Sequence, residues 1–82
     1  IRRRMKNDNK FSTDSFHLAT FLLSQSIPIV YANKDNPRRV LFVFEDSPLR
    51  EEVTKKFLAF EALVEPHRLF SAEKDLKQII YS

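Results

Sequence analysis

Two neighbouring carboxylates, Glu45 and Asp46, are the residues of this sequence that come nearest to a reactive pair. They follow an apolar run typical of a buried strand, and they precede Ser47 and Pro48, which are typical of a helix start. Carboxylates at such a position can bind a divalent cation, as in metal-dependent nucleases, with the distant Asp14 as a third acid. We favour the structural interpretation, in which Asp46 and Ser47 complete a turn and begin a helix. We therefore predict no metal site.

The other residues whose side chains could take part in catalysis lack the partners that a catalytic site requires. Ser71 and Lys74 have the Ser-x-x-Lys spacing of serine acyl enzymes, but those enzymes need further motifs, and a helix cap explains Ser71. His17 and His67 are far apart in a chain without cysteine, which argues against zinc. The sequence contains no glycine, so the usual phosphate-binding loop is excluded. We expect a protein that is not an enzyme, with no catalytic residue, no cofactor and no small-molecule substrate.

Basic residues form two clusters that suggest contact with nucleic acid. The first is the N-terminal cluster, and the second is the hairpin cluster, placed at a predicted turn. Their members are Arg2, Arg3 and Arg4, and Lys34, Arg38 and Arg39, respectively. Clustered positive charge attracts phosphates, and Tyr31 can add a ring for stacking. An ordinary solvated tail and turn explain the same residues, because nearby acids dilute the charge. Lys74 and Lys77 also lie three residues apart on a predicted helix, but two lysines are too few to define a helix that binds in a nucleic-acid groove.

The net charge depends on the first four residues. The whole chain has 14 basic and 11 acidic residues, a net charge of +3, and three of the basic residues lie in 1–4. The remainder is formally neutral. Met5 is the only methionine, and one interpretation is that it is the natural start. We expect residues 1–10 to form a flexible basic tail and 11–82 to form a single domain.

The composition also sets the expected compartment. Hydrophobic residues make up 43% of the chain, including eight phenylalanines, which is enough for a packed core. Without cysteine there is no disulfide framework. No apolar run approaches the roughly 18 residues of a membrane span, and no signal-peptide pattern is present. We expect a cytoplasmic protein without membrane association.

The hydrophobic pattern predicts an α+β domain in the order helix, strand, strand, helix, helix. The first helix begins at Ser12, Thr13 or Asp14 and continues to about Gln25. Strands follow at 27–32 and 39–44, joined by a turn at 33–38, and they are antiparallel because the link is short. Without glycine, we expect Asn33, Asp35 or Asn36 to take positive φ. Short strands at 11–13 and 62–64 are optional, so the sheet has two or three strands.

The last two helices follow from capping signals and apolar spacing. The second helix is predicted from Ser47 to about Glu61, and the third begins at Pro66 or at Ser71. Spacings of four, four and three predict one buried stripe on the second helix. Its members are Leu49, Val53, Phe57 and Phe60. The third helix buries Leu76, Ile79 and Ile80. We expect Phe42 and Phe57 to lie at the centre of the core.

The strand at 39–44 is apolar on both faces. Val40, Phe42 and Phe44 lie on one face, and Leu41 and Val43 lie on the other. A strand with one solvated face would alternate with polar residues. This strand is therefore central, or its second face meets a helix or another subunit. If no helix covers Leu41 and Val43, we expect them to form a homodimer interface.

Four motifs together resemble a small family of uncharacterised domains from bacteria and phages. The motifs are Phe11-x-Thr13-Asp14, Leu18-Ala19-x-x-Leu22-Leu23, Leu41-Phe42-Val43-Phe44-Glu45-Asp46 and Leu76-Lys77-x-x-Ile80-Tyr81. The resemblance covers about residues 11–82. It implies a compact α+β domain and no known activity, since the family is catalogued only as a domain of unknown function. Members often carry glycine after the first helix, where this chain has Ser26.

These observations lead to two main functional hypotheses, with a small metal-dependent nuclease built on Glu45 and Asp46 as a remote third. The first is a non-enzymatic protein-interaction module that associates with itself. The alternative is a nucleic-acid-binding accessory protein of bacterial or phage origin.

Overall fold

A computed structural model of the chain describes residues 9–36 and 38–81. These residues form three strands and three helices in the order β1 (Lys10–Thr13), α1 (Phe16–Ser24), β2 (Ile29–Asn36), β3 (Arg39–Glu45), α2 (Pro48–Leu58) and α3 (Pro66–Tyr81). The predicted α+β class is confirmed. The optional strand at 11–13 is present as β1 and precedes the predicted element order. The optional strand at 62–64 is wrong, because these residues lie in an irregular link between α2 and α3.

β3 is the central strand of the sheet, whose order is β1-β3-β2 with both pairs antiparallel. Phe42 lies opposite Thr13 on one side and Ala32 on the other. This position agrees with the prediction from its two apolar faces, because a strand paired on both sides lies in the middle of the sheet.

β2 is longer and less regular than predicted. It continues to Asn36 through most of the predicted turn, and its register with β3 shifts between Ile29 and Tyr31 and again between Asn33 and Asn36. The Asn33 carboxamide accepts a hydrogen bond from the Asp35 N–H at 3.0 Å. Such local side-chain-to-backbone bonds are typical of turns, but here the bond lies inside a strand. The residue types that form these bonds are the reason why a turn was expected at 33–38.

α1 begins one residue later than the three predicted caps. Ser15 is its N-cap, and the Ser15 hydroxyl accepts the Leu18 N–H at 3.1 Å. Ser12 and Thr13 belong to β1, and the Thr13 hydroxyl accepts the N–H of Ser15 instead. Pairing of β1 with β3 therefore accounts for Ser12 and Thr13, and the Asp14 carboxylate accepts a hydrogen bond from Arg39 Nε instead of capping the helix.

The predicted positions of positive φ are wrong. Among the described residues, Ser26 and Phe60 have positive φ, at 67° and 60°. Each follows a helix by two residues, at the position where a left-handed residue allows the chain to leave the helix. The Ile27 N–H bonds to the Leu22 carbonyl behind Ser26. Among the described residues, the positive φ values that usually favour glycine therefore occur just after helices and not at Asn33, Asp35 or Asn36.

α2 and α3 differ from prediction only at their ends. The Ser47 hydroxyl caps α2 by accepting the Arg50 N–H at 3.1 Å, as predicted. α2 ends at Leu58 rather than Glu61, because Phe60 turns the chain away. α3 begins at Pro66, the earlier of the two predicted starts.

The core lies between the helices and the β3 face that carries Phe42 and Phe44. Its largest fully buried side chains are Phe42, Phe44, Leu22, Ile27 and Leu76. Phe42 is 2% exposed, so its central position is confirmed. Phe57 is half-buried at the edge of the core, where its ring centroid is 5.8 Å from that of Phe21.

Candidate functional site

The acidic pair after β3 is engaged in structural contacts. Asp46 Oδ1 accepts hydrogen bonds from the Ser47 N–H and from Arg50 Nε, both at 2.8 Å. Glu45 lies 3.7 Å from Lys10 Nζ. Within 9–36 and 38–81, no group of three or more histidine or acidic side chains is placed to hold a metal ion. The structural interpretation of these carboxylates accounts for their contacts.

Ser71 and Lys74, which have the Ser-x-x-Lys spacing, are both exposed on α3, and Ser71 is not a cap. Ser71 lies exposed inside α3, because the helix already begins at Pro66. The cap is the Glu65 carboxylate, which accepts the N–H groups of His67 and Arg68 at 3.1 and 3.2 Å. The His67 backbone N–H and then its ring are the main causes that hold the pKa of the Glu65 carboxyl below its ordinary value.

The hairpin cluster is partly neutralised by the chain itself. Arg39 Nε donates to Asp14 Oδ2 at 2.8 Å, and Lys34 Nζ donates to the Ile79 carbonyl at 3.1 Å. Arg38 is exposed beside them. The N-terminal cluster, Arg2, Arg3 and Arg4, lies outside the described residues.

The sheet face opposite the core carries Leu41 and Val43. Neither side chain belongs to the core cluster or packs against it, yet Val43 is only 7% exposed and Leu41 is half-buried. Ser12 and Tyr31 lie directly opposite Val43 in the neighbouring strands and help to shield it. Self-association through Leu41 and Val43 stays a prediction, and little of Val43 is accessible to a partner.

Large exposed apolar side chains are concentrated at the junction of α2 and α3. Leu58 is 66% exposed, Phe60 is 95% exposed and Leu63 is 88% exposed. We call these three residues the junction surface. The assignment of Phe60 and Leu49 to the buried stripe was wrong. Leu49 is exposed in the first turn of α2. Phe60 follows the end of α2, and its own left-handed backbone directs its ring away from the core. The prediction for Phe60 failed because it extended the helix past Leu58.

An apolar pocket of about 260 Å³ is lined in part by Phe57, Ala62 and Val64, which are sequence neighbours of the junction surface. Side chains from α1, from the end of α2, from the link and from α3 line it. They are Phe16, His17, Thr20, Phe21, Phe57, Ala62, Val64, Leu69 and Glu73. The Thr20 hydroxyl donates to the Phe16 carbonyl at 2.8 Å, so it already has a partner inside the chain. The pocket suits an apolar guest.

The outer face of α3 combines aromatic rings with positive charge. Phe70, Lys74, Lys77 and Tyr81 are all exposed, at spacings of four, three and four residues. These spacings place them on one side of the helix. Together with Glu73 and Gln78 they line a shallow groove of about 720 Å³. The sequence indicated the two lysines and missed the rings on the same face.

The comparison with protein families gives a match over nearly the whole chain. A model described as a domain of unknown function (DUF5659) matches residues 8–82, and the chain belongs to this family. No curated protein matches the chain. No solved structure matches it either. The resemblance seen in the sequence is therefore confirmed at the level of a domain of unknown function.

The helices do not include a membrane span. Across 9–36 and 38–81, none of them combines the length and the apolar character needed to cross a bilayer.

Proposed function

We propose that this chain is a non-enzymatic protein-interaction module that associates with itself in the cytoplasm. The observation that supports self-association is the junction surface, where three large apolar side chains within six residues are mostly exposed. Large apolar side chains exposed close together along the chain favour a protein–protein contact, whereas single exposed apolar residues are ordinary. The lack of cysteine is compatible with a reducing compartment.

Light scattering combined with sedimentation over a wide concentration range tests self-association. We expect the average mass to rise with concentration from one chain toward two. A single-chain mass at every accessible concentration would reject the proposal. The proposed function does not include catalysis. The side chains of Glu45 and Asp46 make structural contacts, and Ser71 lies exposed on α3.

The outer face of α3 favours a second candidate function, binding of single-stranded nucleic acid by an accessory protein. Its bacterial or phage origin rests on the family resemblance alone. Exposed rings stack on bases, and lysines between them contact phosphates. Phe70, Lys74, Lys77 and Tyr81 supply both kinds of group on one face. The hairpin cluster is a weaker candidate, because Arg39 and Lys34 are engaged within the chain.

A salt titration of oligonucleotide binding tests this candidate. Binding of a single strand should weaken with salt, with a log–log slope of roughly −0.7 for each phosphate contacted. Lys74→Ala with Lys77→Ala should abolish it, and Arg38→Ala with Arg39→Ala should leave most of it. A chain that begins at Met5 shows whether the N-terminal cluster contributes. Absence of binding at low salt in all forms would reject nucleic-acid binding.

A further inference from the structure

Phe60 has a backbone conformation that is unfavourable for its side chain. Its φ of 60° lies in the left-handed region, where a bulky residue is a genuine outlier. Two hydrogen bonds hold the turn, from the Glu61 N–H to the Lys56 carbonyl at 2.8 Å and from the Phe60 N–H to the Phe57 carbonyl at 3.2 Å. Glycine or asparagine is usual at this position.

The ring of Phe60 gains nothing from the fold of its own chain. It is 95% exposed, so a large apolar side chain stands in water on a strained backbone. Strain of this kind clusters at sites of binding and switching, where the surrounding structure maintains it. The ring is therefore a candidate contact for something outside the single chain.

The pocket lined by sequence neighbours of the junction surface has the size and character to receive a phenyl ring. Apolar cavities of about 150 Å³ bind benzene, and this pocket measures about 260 Å³. Phe57, Ala62 and Val64 line it, and they flank Phe60 in the sequence on both sides. An exposed ring and residues of an apolar pocket that can receive a ring thus lie close together in the sequence of one chain.

We propose that two copies of this chain bind reciprocally, with Phe60 of each copy inserted into the pocket of the other. This inference rests on the proposed self-association and names its contact. A two-fold interface uses one patch on both copies, so the patch must contain both the inserted group and its receptor. The junction surface and the pocket lined by its sequence neighbours meet that requirement.

The expected interface is small. Each buried ring removes about 150–250 Å² from water and covers a similar area of pocket wall. Two rings therefore give roughly 600–1,000 Å², to which Leu58 and Leu63 of both copies add. The total is at the low end for specific interfaces, which indicates a reversible dimer. Charges of both signs lie within five residues of Phe60 in the sequence, with Lys55 and Lys56 on α2 and Glu61 and Glu65 on the link. The segment that carries the ring therefore does not have charge of a single sign that would repel a second copy.

The first experiment is sedimentation of wild type and two variants. Phe60→Ser should raise the dimer Kd by about 100-fold or more, because both ring contacts are lost. Phe70→Ser is the matched control, since it removes an equally large exposed ring from the outer face of α3, and it should leave the Kd unchanged. Circular dichroism verifies the fold of each variant.

The second experiment tests reciprocity by mixing variants. Ala62→Leu, with Val64→Phe as a second variant of the same kind, fills the pocket and should also give monomers. A mixture of Phe60→Ser with either pocket-filling variant should form heterodimers that are weaker than the wild-type dimer, because one of the two ring-in-pocket contacts remains intact. Native mass spectrometry distinguishes the heterodimer from either homodimer.

The outcomes separate this inference from the proposed function. A wild-type chain that is always monomeric rejects both. A wild-type dimer that persists in Phe60→Ser rejects the reciprocal contact and leaves self-association standing. Loss of dimer in Phe60→Ser without heterodimers in either mixture also overturns the reciprocal arrangement. Heterodimers in the mixture together with a monomeric Phe60→Ser establish it.

Discussion

The guanidinium of Arg50 lies over the ring of Phe11, with 4.0 Å between Cζ and the ring centroid. The same guanidinium donates to Asp46 Oδ1 at 2.8 Å and to Thr54 Oγ1 at 3.2 Å, and the side chain is only 12% exposed. Arg50 thereby joins α2 to the four-residue strand β1, in addition to the pairing of β1 with β3.

Arg50→Ala should lower the free energy of unfolding by about 2–3 kcal/mol, because it removes a partly buried cation–π contact and a charge-assisted hydrogen bond. Urea denaturation measures the change. Lys56→Ala is the control: its pair with Glu52 is exposed and 3.8 Å long, and its loss should cost less than about 0.5 kcal/mol. Equal effects at the two positions would contradict the anchoring role of Arg50.

Phe42→Ala should cost about 3–5 kcal/mol, close to the whole stability of a domain of this size. Phe57→Ala should cost less, about 1–3 kcal/mol, because its ring is half-buried and water can fill the space that it leaves. Thermal or urea unfolding measures both changes. A loss below about 1 kcal/mol for Phe42→Ala would mean that the β3 register is different.

Phe60→Gly should raise the free energy of unfolding of the monomer by about 1 kcal/mol. Glycine has no Cβ to oppose positive φ, and the exposed ring contributes no packing that would be lost. Phe60→Ala is the matched control, because it removes the ring and keeps the Cβ, and it should give little gain. Denaturation at concentrations below the dimer Kd measures both variants. A destabilised Phe60→Gly would show that the ring packs within its own chain.

Glu65→Gln should destabilise the domain at pH 7, and this loss of stability should become smaller as the pH is lowered. The pKa of the Glu65 carboxyl is held below its ordinary value in the folded chain, mainly by the backbone N–H and ring of His67. Its contribution is therefore present above the unfolded pKa and is lost as the pH falls through the folded pKa.

The difference in melting temperature between wild type and Glu65→Gln, followed from pH 7 to pH 2, measures this effect. Glu61→Gln is the control, since it removes a charge from the same link without removing the cap of α3. A difference that persists unchanged to pH 2 would contradict the role of the Glu65 charge.

The sequence predicted those parts of the fold that depend on burial and on local capping. The two apolar faces of 39–44 indicated a central strand, and Ser47 with Pro48 located the start of α2 within one residue. Phe42 was expected in the core and is there. These features follow from interactions within a few residues or from the need to bury apolar surface.

The features that the sequence did not reveal depend on where helices end and on pairing between distant residues. β1 pairs with the distant strand β3, with Lys10 opposite Glu45 and Thr13 opposite Phe42, and the first cap is Ser15, after the end of β1. Phe60 matches the apolar spacing of α2, so nothing in the pattern indicated that the helix ends before it. The candidate contact surface depends on this one backbone reversal, which is why the sequence pointed to Leu41 and Val43 instead.

The central position of β3 has a consequence for aggregation. The segment Val40–Phe44 is short, apolar and rich in residues that favour strands, which is the composition of amyloid-forming peptides. In the folded chain both of its edges are occupied, by β2 on one side and by β1 on the other. β2 itself presents an irregular outer edge, because its register shifts twice, and such edges are poor templates for another strand. β1 has four residues and β2 has eight, so β1 is the strand that protects β3 less well. Detachment of β1 would expose the side of β3 from which fibrils would grow.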